Sequence, residues 1–395
     1  MGDAVGIETL GVVGAGVMGS DIAFVAALAG KQVIICDVDA TALSGATDRV
    51  TSLAARAQAR GKLGPDDAAA LSARVATTSR DEDLAVCDLA IEAVSERMDL
   101  KRIIFARLDA ILRPGALIAS NTSGLSITEL AACTTRPEAV LGIHFFNPAA
   151  VMRLVELIEG RQTSADAMDT AEELVRQLGK APVRVRECPG FLVNRILVRA
   201  MAEAYRHATT HGLAPAAVDA AVAESGPAPM GPFALGDLIG LDTMDHIQRD
   251  LEQAYGERFT DAGAIASQVA QGRLGRKNGQ GFLEADEPAP AVGDEARAAA
   301  QQYYYGALDE ALRCHDDAIA ARPDIDLAMR LGAGWAIGPL AWADGEGVAG
   351  VLGTMQELSV SAGNRFQPTS LLRARAADGC SLIDDGAIDA GTTPP

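Results

Sequence analysis

The first half of the chain alternates short apolar runs with longer Ala-rich segments whose apolar residues recur at helical spacing. The runs over 9–13, 32–37, 89–93, 117–120, 140–144 and 155–158 are short and rich in β-branched residues, and they predict strands. Segments such as 18–29 and 40–59 predict the helices between them. Strands alternating with helices imply βαβ units and a mostly parallel sheet, so residues 1–187 are expected to form one α/β domain. From Gly190 the pattern changes. Residues 190–212 predict one long helix, introduced by Pro189 and closed by Gly212, and no convincing strand follows. A basic, Gly-rich turn is expected over 275–281. The stretch 284–299, with Glu284, Asp286, Glu287, Pro288 and Pro290, predicts a linker, and residues 384–395 predict a disordered tail.

The last part of the chain repeats the middle part at an offset of 107 residues. Glu203-Ala204 recurs as Glu310-Ala311, Asp219 as Asp326, and Arg258-Phe259 as Arg365-Phe366. Gly231-Pro232 and Asp237 recur as Gly338-Pro339 and Asp344. One offset relating Gly-Pro, two aspartates and Arg-Phe predicts a duplicated all-α domain, with copies over 188–283 and 300–383.

Composition narrows the function classes. The chain has 395 residues, enough for two or three domains, with 49% hydrophobic and 22% charged residues. A formal net charge of -19 argues against nucleic acid as a partner, although a local basic patch could still hold a phosphorylated small molecule. The six cysteines, Cys36, Cys87, Cys133, Cys188, Cys314 and Cys380, show no Cys-x-x-Cys spacing, so a reducing compartment is expected. No leader pattern opens the chain, and no run reaches the roughly 18 apolar residues of a membrane span. A cytoplasmic location with no membrane partner is therefore expected.

Gly14-Ala15-Gly16-Val17-Met18-Gly19 follows the first predicted strand and opens a helix. This is the G-x-G-x-x-G arrangement in the context a Rossmann-type dinucleotide site requires. Gly14 permits the tight turn, Gly16 lets backbone approach a pyrophosphate, and Gly19 lets helix and strand pack closely. The pyrophosphate would meet the helix N-terminus, where unpaired N–H groups and the dipole favour an anion. Asp37 ends the second predicted strand, placed to accept from ribose hydroxyls and to repel a 2′-phosphate, which favours NAD over NADP. A glycine-rich turn with no dinucleotide is the alternative.

Further motifs follow in order. Ser120-Asn121-Thr122-Ser123, Gly142-Ile143-His144-Phe145-Phe146-Asn147-Pro148, Leu154-Val155-Glu156 and Pro189-Gly190-Phe191-Leu192-Val193-Asn194-Arg195 together resemble the 3-hydroxyacyl-CoA dehydrogenase family. Gly231-Pro232-Phe233, Gly240-Leu241-Asp242 and the segment 275–282 resemble that family's helical domain, and 300–383 resembles a second copy of it. The resemblance implies NAD-dependent oxidation of an (S)-3-hydroxyacyl-CoA to the 3-oxoacyl-CoA, and the reverse. It places His144 on the catalytic base, Glu156 on its orienting carboxylate, and Ser123 and Asn194 on the groups that hold the substrate oxygen. It places Asn147 beside them, Glu96 and Lys101 near the nicotinamide ribose, and Asn121 near the nicotinamide.

The chemistry asks for these residue types. Oxidising an alcohol removes a proton from oxygen, and histidine is the side chain suited to take it near neutral pH. Among the five histidines, His144, His207, His211, His246 and His315, only His144 ends a predicted strand of the α/β half. Glu156 can bond its far ring nitrogen and set the tautomer. Taken singly, His144 could be a satisfied core histidine, Glu156 a surface carboxylate and Ser123 a helix cap. Asn194 needs a polar partner if buried.

His207 and His211 lie i, i+4 on the long predicted helix, and they read as a solvated face with no metal. Arg49, Arg56, Arg60 and Lys62 are candidates to meet the phosphates of coenzyme A, and Arg56, Arg60 and Lys62 are the expected substrate contacts among them, with a plain solvated face as the alternative. The second copy carries Gln301 and Gln302 where the first has Asn194 and Arg195, so it is expected to be structural. A monomer with an internal pseudo-dimer is expected, with a homodimer as the alternative. Two other functions remain open at this point: a dehydrogenase of a free hydroxy acid or sugar acid, and a non-catalytic NAD-binding protein.

Overall fold

The structure, a computed structural model, describes residues 6–284 and 291–384, and the chain divides into two compact units between Phe191 and Leu192. The expected tail over 385–395 and the centre of the expected linker lie outside the described residues.

The first unit is built on an eight-stranded sheet. Its strands are β1 (Thr9–Val13), β2 (Gln32–Cys36), β3 (Val75–Thr78), β4 (Leu89–Glu92), β5 (Leu117–Ser120), β6 (Val140–Phe145), β7 (Leu154–Glu159) and β8 (Ala181–Arg186). Its helices are α1 (Val17–Leu28), α2 (Ala40–Ala59), α3 (Pro65–Ala73), α4 (Met98–Ile111), α5 (Ile127–Ala131) and α6 (Ala165–Gln177). The order β3-β2-β1-β4-β5-β6-β7-β8 contains the doubly wound order 3-2-1-4-5-6, which opens a crevice between β1 and β4 where the winding reverses. All neighbours pair in parallel except β6 with β7.

Central strands β4, β5 and β6 are buried at every position, which is why they read as unbroken apolar runs rather than alternating ones. The sequence reading missed both edge strands. β3 (VATT) has no residue buried and carries no apolar signal. β8 does carry one, since Val183 and Val185 are buried while Arg184 and Arg186 are exposed. Period-two alternation is what an edge strand shows when one face is wet.

In the second unit, one helical set comprises α7 (Val193–His211), α8 (Pro215–Ser225), α9 (Pro232–Ile239), α10 (Leu241–Tyr255) and α11 (Ala264–Ala270). The other comprises α12 (Asp294–Asp316), α13 (Arg322–Gly332), α14 (Pro339–Glu346), α15 (Val348–Ser361) and α16 (Ser370–Asp378). Two boundaries differ from the sequence reading. α7 begins at Val193 rather than at 190, because Gly190 (φ 75°) and Phe191 (φ 52°) are left-handed and cannot continue a right-handed helix. α12 begins at Asp294, so the stretch read as linker is already helical over its last residues, with Ala296 and Ala299 buried.

The two sets repeat in detail. Asp219 accepts from the N–H groups of Phe233 and Ala234 at the start of α9, at 2.9 and 2.7 Å. Asp326 accepts from those of Leu340 and Ala341 at the start of α14, at 2.9 and 2.8 Å. The long helices α7 and α12 pack against each other, and the two sets exchange ion pairs reciprocally, each onto a glutamate of the other's long helix. Arg258 of the first set meets Glu310 at 2.9 Å, and Arg365 of the second meets Glu203 at 2.7 Å. Residue i contacting j while j's counterpart contacts i's is the signature of a two-fold interface, here within one chain.

Candidate active site

β1 delivers the glycine turn to the carboxyl edge of the sheet. Gly14 has φ 108°, and a Cβ there would lie 2.7 Å from the Ala93 carbonyl oxygen beyond β4. A Cβ on Gly19 would collide with the Gly14 carbonyl, so α1 can pack this close to β1 only without one. Gly16 is the N-cap of α1, and no side chain bonds to that end of the helix. Gly16 and Val17 are exposed and Met18 half-buried. The first N–H groups of α1 therefore face outward without a side-chain cap, as an anion site needs. Asp37, just past β2, accepts from Ala15 N–H at 2.7 Å and Asp39 N–H at 3.0 Å. One carboxylate oxygen thus braces the glycine turn, a role the sequence did not suggest.

β4 and α4 supply a buried ionic cluster. Lys101 Nζ lies 2.7 and 2.9 Å from the two oxygens of Glu92, and 3.1 Å from Glu96. Ser120 Oγ donates to Glu92 at 2.6 Å, and Val94 N–H at 2.7 Å. Glu96 accepts from the Ser123 N–H at 2.9 Å and from Thr122 Oγ1, tying the β4 loop to the β5 loop. Sequence reasoning missed Glu92. Its signal was available, as a carboxylate ending the otherwise apolar run Leu-Ala-Ile-Glu must be paired if buried.

β6 and β7 place the base. His144 stands directly opposite Glu156 in their antiparallel pairing, and His144 Nδ1 lies 2.7 Å from Glu156 Oε2. Both are buried, at 4% and 1% exposure, so the reading of Glu156 as a surface carboxylate falls away, while His144 is a buried histidine satisfied by that carboxylate. Phe146 and Phe191 flank the imidazole, with ring centroids at 4.6 and 5.8 Å. Neither was singled out from the sequence. Asn121, past β5, accepts from Phe145 N–H at 2.9 Å and so links the ends of β5 and β6. Lys180 Nζ donates to the carbonyls of Ala149 and Met152 at 2.6 and 2.7 Å, holding the loop between β6 and β7. Burial pushes its pKa down to about 8.

The structure thus gathers Gly14, Gly16, Met18, Gly19, Asp37, Glu96, Lys101, Asn121, Ser123, His144 and Glu156 along one edge of one sheet. Ser123 is exposed and is not the cap of α5, a role that falls to Ser126, which accepts from Glu129 N–H. Asn147 is exposed and precedes a cis Pro148. Asn194 belongs to the second unit, half-buried in the first turn of α7. Arg56, Arg60 and Lys62 are exposed at the end of α2 and in the turn after it. Arg49 differs, since it pairs at 2.6 Å with the fully buried Asp21 of α1. The solvated-face reading is corrected for His207, which is 8% exposed and bonds Glu295 and Gln302. No described helix is long and apolar enough to cross a membrane.

Comparison with known proteins agrees with this geometry. Residues 9–188 match the 3-hydroxyacyl-CoA dehydrogenase, NAD binding domain. The C-terminal domain of the same family matches twice, over 190–285 and 300–381. The chain is 32% identical to a 3-hydroxyadipyl-CoA dehydrogenase of Escherichia coli K12, covering 94% of this chain and 98% of the relative. It is 39% identical to a 3-hydroxybutyryl-CoA dehydrogenase of Bradyrhizobium diazoefficiens, over 70% of this chain and 95% of the relative. A crystal structure of an E. coli K12 3-hydroxybutyryl-CoA dehydrogenase superposes with a TM-score of 0.88 at 31% identity, covering 95% of this chain and 99% of that one.

Proposed function

The chain belongs to the 3-hydroxyacyl-CoA dehydrogenase family, and from that premise we propose the working parts of its reaction. The substrate is an (S)-3-hydroxyacyl-CoA, the cofactor NAD rather than NADP, and His144 the group that exchanges the hydroxyl proton. The observation that carries the reading is the buried His144–Glu156 pair on the sheet edge that also carries the glycine turn.

The residues fit a dinucleotide. The uncapped start of α1 suits a pyrophosphate, and the crowded Gly14 and Gly19 keep that turn tight. Asp37 presents negative charge where NADP would carry a 2′-phosphate, and this supports NAD. When bound, the nicotinamide supplies the acceptor for the hydride leaving the substrate carbon.

Glu156 accepts from Nδ1–H of His144, so Nε2 carries the lone pair that takes the hydroxyl proton. As the proton arrives the ring becomes cationic, and the buried carboxylate beside it stabilises that charge. In the reverse direction the same nitrogen returns the proton to the oxygen. Phe146 and Phe191 keep water from the ring. Ser123 is proposed to hold the substrate oxygen, with Asn147 supporting it, and Asn194 takes the same role on the resemblance alone. Glu96 fixes the Ser123 backbone and is held by Lys101. Arg56, Arg60 and Lys62 are proposed to meet the phosphates of coenzyme A.

The test is steady-state turnover of NADH with acetoacetyl-CoA and with free acetoacetate. The proposal expects turnover of the thioester, little of the free acid, and little with NADPH. Neutralising Arg56, Arg60 and Lys62 together should raise KM for the thioester with kcat nearly unchanged. Equal turnover of the free acid, unaffected by that substitution, would move the assignment to a free hydroxy acid.

A further inference from the structure

The long helix α7 ends on two histidines one turn apart, and α12, from the second copy of the helical domain, brings a carboxylate to them. His207 Nε2 lies 3.2 Å from Glu295 Oε2, and His211 Nε2 lies 3.9 Å from the same oxygen. One ligand atom from each of the three residues falls within 4.8 Å of the others. We propose that His207, His211 and Glu295 form a site for a divalent transition-metal ion, Zn²⁺ foremost, that clasps the first helical copy to the second.

The spacing suits the ion. Ligands at the usual distances of about 2.0–2.2 Å in a tetrahedron stand about 3.3 Å apart, so the three atoms need only small adjustments around a metal. Two imidazoles and one carboxylate are a donor set that Zn²⁺ takes readily, with water completing the fourth position on the exposed side.

Groups outside the ligand set orient it. His211 Nδ1 lies 3.0 Å from the backbone carbonyl of His207. A carbonyl can only accept, so the proton sits on Nδ1 and Nε2 of His211 presents a lone pair toward Glu295. The amide of Gln302 lies 3.0 Å from His207 Nδ1. As placed, its Nε2 donates to Nδ1, so His207 Nε2 carries the proton toward Glu295; turning the Gln302 amide end for end lets its oxygen accept Nδ1–H and frees the Nε2 lone pair that a metal needs. His211 lies in the last turn of α7, whose carbonyl end favours a cation, and His207 lies one turn before it.

The duplication alone does not produce this arrangement. At the offset of 107 residues His207 and His211 correspond to Cys314 and Ala318, and Gln302 to Arg195. The related position therefore carries a guanidinium, which pairs at 2.7 Å with both Glu310 and Asp317. Only one of the two pseudo-equivalent places carries this ligand set. The sequence hid it because the third ligand lies 88 residues from His207.

The test uses the full chain, stripped of metal by a chelator and titrated with Zn²⁺ alone. One saturable site per chain is expected at micromolar Zn²⁺, with a higher melting temperature when it is filled. Co²⁺ in its place should give the visible absorption of a four-coordinate ion. Gln302→Leu should weaken Zn²⁺ binding about 10- to 100-fold. His211→Ala and Glu295→Gln alter exposed groups, and each should weaken it at least as much while the metal-free melting temperature stays near wild type. Absence of saturable binding would overturn the proposal, as would a stoichiometry and affinity unchanged by His211→Ala and Glu295→Gln. The second outcome would assign any bound zinc to cysteines elsewhere.

Discussion

At His144 one ring nitrogen is committed to Glu156, and the proposed proton transfer falls to the other. Its Nδ1 meets Glu156 at 2.7 Å in a buried setting, so the carboxylate sets the ring's orientation and tautomer. Glu156→Gln keeps an acceptor for Nδ1–H but removes the charge that steadies the imidazolium. It should lower kcat about 10- to 100-fold with KM little changed, and steady-state kinetics with acetoacetyl-CoA would show whether it does. Lys101 is a different kind of residue. With 1% of its side chain exposed and Glu92 fully buried, their attraction is matched against desolvation. Removing one partner strands the other, so Lys101→Met should cost about 3–5 kcal/mol in urea unfolding. The double variant Lys101→Met with Glu92→Gln should recover much of that loss. His144 and Glu156 were legible as a pair because the motifs that hold them resemble those of the family and lie on neighbouring predicted strands. Glu92 was not chosen, since its partner is set by how α4 returns along the sheet. The brace from Asp37 to Ala15 N–H was equally hidden, as nothing in the glycine motif says which acceptor its first amide finds.

Among the elements, the paired caps at α9 and α14 show how the duplication is preserved. Each aspartate accepts two N–H groups at the start of a helix that begins Gly-Pro. Burial pushes Asp219 up from 3.8 to about 7. Between those values the folded chain holds a proton the unfolded chain has lost, so this group's contribution is present below about pH 4 and is lost as pH rises through about 7. Asp219→Asn keeps an oxygen acceptor and does not titrate. Its urea midpoint should gain on that of wild type between about pH 4 and pH 7, the window set by those values, and a constant difference across that range would refute the shift. Helix and central strand positions followed from apolar periodicity, because burial on both faces writes an unbroken run into the sequence. The edge strand β3 could not be read, having no apolar face. The start of α7 was misplaced because a left-handed non-glycine residue, Phe191, carries no compositional mark.

For the molecule as a whole, the reciprocal pairs Arg258–Glu310 and Arg365–Glu203 give the second unit an internal two-fold interface. The repeat offset made two copies legible, while their face-to-face packing through α7 and α12 was an expectation that needed coordinates. The face of α7 that meets α12 is covered within the chain by the second copy. Analytical sedimentation should therefore find a monomer at micromolar concentration, and a tight dimer would count against this account. Loss of the seam should be costly in turn. Glu310→Ala removes the carboxylate that Arg195 and Arg258 share, leaving Arg195 with Asp317 and Arg258 with the Tyr255 carbonyl, and with Arg195 buried the variant should unfold at lower urea.

His144 is proposed to move the proton while hydride passes to or from the nicotinamide. The most direct measurement is NADH oxidation with acetoacetyl-CoA, followed by NADH absorbance, comparing wild type with His144→Gln, with NADH binding measured on both. In the variant kcat is expected to fall by about 10²-fold or more while NADH affinity stays near wild type. A variant that turns over acetoacetyl-CoA at nearly the wild-type rate would contradict it.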